Sequence, residues 1–118
     1  MPKMPTRYAR IQGRYQKVIA ALEELGKATK AAGPLDRKTS ELIQLAAAAA
    51  VRSEGSVHSH ARRALAAGAS ADEIRHAIVL LTSTIGFPTV SAALSWADDV
   101  LANKRPQPSP RKRSSRTK

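Results

Sequence analysis

Apolar residues recur along this chain at helical spacing almost from its start. Between Thr6 and about Ala32 they fall at Tyr8, Ile11, Tyr15, Val18, Leu22 and Leu25. These alternating steps of three and four lay one seam along a helix, which Ile19 widens. Gly33-Pro34 ends the helix, because proline disfavours helical geometry at the residue before it. Asp36 then reads as the N-cap of a second helix, with Glu41 in its early turns, where negative charge suits the helix dipole. That helix carries Leu42, Ile43, Leu45 and the alanines Ala46 to Ala50. An apolar surface nearly all round, built of small side chains, predicts a central helix with close neighbours. A third helix is expected over about 56–67, closed by Gly68, since glycine takes the left-handed C-terminal position cheaply. Ser70 to Glu73 has the form of a capping box opening a fourth helix, whose apolar face is Ile74, Ala77, Ile78, Leu81 and Ile85. Gly86-Phe87-Pro88 interrupts the pattern, and a fifth helix follows on Val90, Leu94, Ala97 and Leu101. No stretch alternates apolar and polar residues as a half-buried strand does. The expected fold class is all-α, a bundle of about five helices.

Charge divides the same chain differently. Of the net +11, residues 1–30 carry +5, residues 31–103 carry −1, and residues 104–118 carry +7 with no acid. Three segments follow: a basic N-terminal helix over 1–34, a helical domain over 35–103, and a basic tail over 104–118. The tail holds Pro106, Pro108 and Pro110 and no large apolar residue, so it cannot bury enough surface to offset ordering entropy and is expected to be disordered. Its Arg111-Lys112-Arg113 run suits phosphate neutralisation. Without aromatic residues for stacking, any nucleic-acid contact there is expected to be weak and sequence-independent. No apolar run is long enough to span a membrane and no secretory signal is readable, so a cytoplasmic location is the expectation. Much of the apolar content is alanine, which buries little area per residue. A small domain of this kind, with an extra seam on its first helix, is expected to form a homo-oligomer.

The proton-handling groups cluster in one stretch. Residues 52–65 hold Glu54, His58 and His60 together with Ser53, Ser56 and Ser59. Ser56 and His60 stand i, i+4, neighbours on a helix, which is the relation a serine nucleophile needs with its base. Against that, serine is also a favoured residue at helix starts. His58 and His60 would share a side in an extended chain but diverge by about 200° in a helix. With His76 distant, no third ligand is in view, and neither a metal nor a cofactor is assigned. Glu41 could orient His60, although about 18 Å of straight helix separates it from Ser53. Only a helix crossing or a second subunit would bring them together. The chain contains no cysteine, which closes the disulfide, thiolate-metal and thiol-nucleophile readings.

Three runs, Leu35 to Ile43, His60 to Ile74, and Gly86-Phe87-Pro88 with Ala92-Ala93-Leu94, resemble in order the carboxymuconolactone decarboxylase family, which includes alkylhydroperoxidase D. The resemblance covers roughly 35–101 and implies an all-α fold assembled as trimers or hexamers. The redox branch of that family is similar around E-x(11)-C-x-x-C-x-x-x-H. Carried across, the Glu falls on Glu41, the His on His60, and the two cysteines on Ser53 and Ser56. The resemblance implies decarboxylase or alkylhydroperoxidase (peroxiredoxin) activity. A hydroxyl has no sulfenate or disulfide step, so these serines argue against the peroxidase. The expected function is a non-redox acid/base enzyme on a small organic acid or lactone, with Glu41 and His60 as acid/base groups and Glu54 or His58 assisting. The alternatives are residual peroxiredoxin-type activity, or a non-catalytic oligomeric binding protein whose basic tail contacts nucleic acid.

Overall fold

A computed structural model of the chain describes residues 6–104, with side chains placed from 7 to 102. The basic tail from residue 105 onward, and with it the expected nucleic-acid contact, lies outside the described residues. Seven helices follow one another: α1 (Thr6–Arg14), α2 (Gln16–Ala31), α3 (Arg37–Ala50), α4 (Glu54–Ala66), α5 (Ala71–Val79), α6 (Thr82–Ile85) and α7 (Phe87–Lys104). The fold is all-α, with no strand among the described residues. No described helix is long and apolar enough to cross a membrane. The chain divides into two compact units, Met1–Leu35 and Asp36–Lys118.

In the first unit the single helix expected over 6–32 is two. The break is at Tyr15, which leaves helical geometry with φ −125° and ψ 57°. Gly13, just before it, weakens the helix by about 1 kcal/mol relative to alanine. The Tyr8 hydroxyl donates to Glu23 Oε2 at 3.3 Å. Those residues would stand about 22 Å apart on one straight helix, so α1 doubles back along α2. Ile19 is buried, whereas Tyr15, Val18, Leu22 and Leu25 of the seam are all more than half exposed.

The second unit is built on an antiparallel hairpin of α3 and α4, against which α5 and α7 pack. The starts of α3, α4 and α5 use the caps their sequence offers. Asp36 Oδ1 accepts from the Thr39 amide at 2.7 Å, Ser53 Oγ from the Ser56 amide at 3.4 Å, and Ser70 and Glu73 form a reciprocal capping box. These acceptors occupy amides that have no intrahelical partner. Both α3 and α4 end in the same double-bonded turn. In α4 the amides of Gly68 and Ala69 donate to the carbonyls of Leu65 and Ala64, with Gly68 at φ +100°. In α3 the amides of Arg52 and Ser53 donate to Ala49 and Ala48. Here the left-handed position, φ +59°, is held by Arg52 rather than glycine.

The core includes Leu45, Val57, Ile74, Ile78, Val90, Val100 and Leu101, with Ala48, Ala49, Ala61, Ala64, Ala69, Ala93 and Ala97 between them. Alanines on the facing sides of α3, α4 and α7 let these helices approach closely. The fourth helix is shorter than its apolar face predicts. It ends at Val79, and a separate turn, α6, follows Leu80-Leu81. Thr82 Oγ1 donates to the Val79 carbonyl at 2.7 Å, and the hydroxyl-rich Thr82-Ser83-Thr84 run offers the backbone alternatives to a continuous helix.

Candidate functional site

The α3–α4 hairpin brings Glu41 to His60, while Ser53 stays at the turn, beyond the far end of α3 from Glu41. Its turn, Val51-Arg52-Ser53, reverses the chain, so residues at similar distances before and after it face one another. Glu41 lies in the second turn of α3 and His60 in the second turn of α4, on opposite arms of the reversal. His60 Nδ1 is 2.9 Å from Glu41 Oε1. The crossing that straight spacing could not supply is made within one chain.

Glu41 is buried, 1% exposed, and is the buried charged residue among the described residues. A carboxylate in such a place must be paired or hydrogen-bonded, since the desolvation cost is otherwise large. The imidazole meets part of that need. When Glu41 is ionised it only accepts, so Nδ1 donates its proton to Oε1 and the neutral imidazole keeps its lone pair on Nε2. The His60 side chain is 19% exposed, and Nε2 has no protein partner among the described residues yet is not a buried orphan. It therefore opens to solvent. The arrangement is a base whose tautomer and orientation are held from behind by a buried acid.

Ser53 and Ser56 sit at the start of α4 as cap and capped residue. Ser53 Oγ is engaged with the Ser56 amide, and no hydrogen bond joins Ser56 to His60 among the described residues. The Ser-His pair that the i, i+4 spacing allows is thus not set. His58, two positions from His60, points to another face of α4. Its Nε2 is 2.9 Å from Asp99 Oδ2 on α7. Glu54, one turn before His58, joins them, with the ligand atoms of all three within 4.8 Å of one another. The sequence reading named Glu54 and His58 but not Asp99. Asp99 lies 41 residues beyond His58, with no local pattern linking them; only the packing of α4 on α7 does.

Other neighbours tie the helices down. Arg52 Nη1 donates to Thr89 Oγ1 at 2.8 Å. Lys38 pairs with Glu73 at 3.1 Å and Arg75 with Asp98 at 3.1 Å. The Glu73 carboxyl is held below its ordinary range, first by the Ser70 amide and then by Lys38. Asp36 is lowered chiefly by the Thr39 amide. Gln44, one turn after Glu41 on α3, has a buried Oε1 with no donor among the described residues. Trp96 packs against the core from the side, whereas Phe87 is largely exposed.

The model of the carboxymuconolactone decarboxylase family matches residues 16–99, more than two thirds of the chain, beginning inside α2 and ending late in α7. No curated protein and no solved structure matches the chain.

Proposed function

The chain belongs to the carboxymuconolactone decarboxylase family, and from that premise we propose that it is a non-redox acid/base enzyme acting on a small organic acid or lactone. The observation that carries this reading is the 2.9 Å bond between the buried Glu41 carboxylate and His60 Nδ1, with Nε2 left open. In this proposal Nε2 of His60 takes a proton from the substrate and returns it later in the cycle. Glu41 is a positioning residue that fixes the tautomer and stabilises the imidazolium while the proton is held. A positioned base of this kind contributes roughly 10²–10⁴-fold in rate.

The peroxidase alternative is disfavoured by the chain's own residues. Its two thiol positions are Ser53 and Ser56, whose hydroxyl and amide are used in capping α4. There is no cysteine anywhere in the sequence to take their place.

The test is turnover of a panel of small carboxylated lactones and unsaturated acids, following CO₂ release and ring opening, with the native chain, His60→Gln and Glu41→Gln. The expected result is loss of kcat in His60→Gln and a smaller loss in Glu41→Gln, with KM little changed in both. Turnover that survives in His60→Gln would sink the proposal. Self-association belongs to the same reading. The exposed α2 residues Val18, Leu22 and Leu25 offer an apolar face of the kind that copies of a chain cover. A trimer or hexamer is expected by sedimentation, and a monomer at micromolar concentration would remove it.

A further inference from the structure

We propose that Glu54, His58 and Asp99 form a binding site for a first-row divalent cation of the zinc type, separate from the Glu41–His60 pair. The three donors come from two helices. Glu54 and His58 stand i, i+4 on α4, so their side chains lie one above the other on one face, and Asp99 reaches them from α7. Every pair of ligand atoms lies within 4.8 Å. The tightest pair is close to ligand spacing. Two donors about 2.0–2.2 Å from one tetrahedral metal lie about 3.4 Å apart. His58 Nε2 and Asp99 Oδ2, joined by a 2.9 Å hydrogen bond, need to part by only about half an ångström. A cation entering between them needs Glu54 to close by a rotamer change, and Glu54 is an exposed side chain free to make it.

Charge points the same way. The chain is strongly basic, with twenty Lys and Arg against nine acids. The other acids of α5 and α7 take basic partners, Glu73 with Lys38 and both Asp72 and Asp98 with Arg75. Glu54 has no hydrogen bond or ion pair among the described residues, and Asp99 has only the imidazole. Two carboxylates are thus gathered about one imidazole nitrogen without a Lys or Arg to neutralise them. A divalent cation would do so and replace the proton on Nε2.

The donor set also selects the metal. An imidazole nitrogen beside two carboxylate oxygens suits zinc, cobalt, nickel or manganese, whereas magnesium and calcium prefer all-oxygen sites. The His58 side chain is 22% exposed and that of Asp99 57%. The remaining coordination positions would therefore hold water. Because His58 and His60 diverge by about 200° on α4, the cation would occupy a different face from the one that carries the acid/base pair.

The experiment is isothermal titration of the full chain with zinc chloride near neutral pH, repeated with magnesium and calcium, on the native protein and on Glu54→Gln, His58→Gln, Asp99→Asn and His76→Gln. The expected result is one saturable zinc site per chain. It should be lost in His58→Gln, weakened tenfold or more in Glu54→Gln and in Asp99→Asn, and unchanged in His76→Gln. Cobalt substitution should give visible absorption bands that vanish in the same variants. Glu54→Gln changes an exposed side chain only, so it remains informative should His58→Gln disturb folding. The proposal is overturned by absence of saturable zinc binding in the native chain, by zinc affinity that Glu54→Gln and His58→Gln leave intact, or by magnesium binding as tightly as zinc.

Discussion

Replacing His60 by alanine takes from the buried Glu41 carboxylate its imidazole donor, and the structure sets the size of the effect. The Glu41 side chain is 2% exposed and that of His60 is 19% exposed. Removing the donor of a buried hydrogen-bonded acceptor costs about 1–3 kcal/mol. About 2 kcal/mol applies here, because the truncated imidazole opens a path for water to reach Oε1. For a domain of this size each kcal/mol moves Tm by about 4–8 °C, so His60→Ala should melt about 8–16 °C below the native chain. Glu41→Gln keeps an acceptor for Nδ1 and removes the buried charge, so it should cost only about 1 kcal/mol. The decisive variant is the double change Glu41→Met with His60→Leu. It removes both polar groups, and replacing a buried pair by apolar side chains is often neutral or better. Thermal unfolding followed by circular dichroism near neutral pH reads all three. The argument fails if His60→Ala melts within about 4 °C of the native chain, less than 1 kcal/mol by the same conversion, or if the double variant melts below His60→Ala.

Further outcomes are expected elsewhere. Ser53→Cys with Ser56→Cys should give a chain that reduces peroxide with a dithiol donor, while the native chain is silent; peroxide reduction by the native chain would undo the inference from the serines. Gln44→Leu removes a buried acceptor without a donor and should raise stability by about 1 kcal/mol, measured by urea unfolding; a loss of stability would show that Oε1 is satisfied in solution. Arg52→Gly relieves a left-handed residue and should also stabilise, by about 0.5–1 kcal/mol, because glycine occupies that region without steric penalty; a lower Tm would mean that the Arg52–Thr89 bond outweighs the strain. Asp36 and Glu73 have folded-state pKa values below their ordinary 3.8 and 4.5. Their stabilising contribution is present above those ordinary values and is lost as pH falls through the lowered ones. Asp36→Asn should therefore flatten the acid limb of the stability–pH curve, and an unchanged limb would show that its cap is inert.

The helices were legible where periodicity and caps agreed. Asp36, Ser70 with Glu73, Gly68 and Gly86 each mark a boundary that the structure keeps, since local side-chain–backbone bonds are encoded locally. Two boundaries were not legible. The apolar seam runs straight through Tyr15, and the fourth helix's apolar face runs on to Ile85. In the first case a non-local contact from Tyr8 to Glu23 competes with the seam, and in the second the hydroxyl of Thr82 competes. The site divides the same way. Glu41 and His60 could be named from the resemblance, but their meeting depends on a reversal at Arg52, a residue with no intrinsic signal for a left-handed turn. Asp99 could not be named at all, because its relation to His58 exists only through the packing of α4 on α7.

The cap at Ser53 bears on how such a chain changes over generations. A serine hydroxyl is a strong acceptor for an exposed helix amide, whereas a thiol is a weak one. In the proposed reading, where Ser53 stands at a cysteine position of the redox branch, exchanging cysteine for serine would strengthen the start of α4 as it removed the redox chemistry. The reverse exchange would weaken the same helix before any new chemistry could be selected. Departure would then be downhill for folding and return uphill, so the hydroxyl would act as a ratchet.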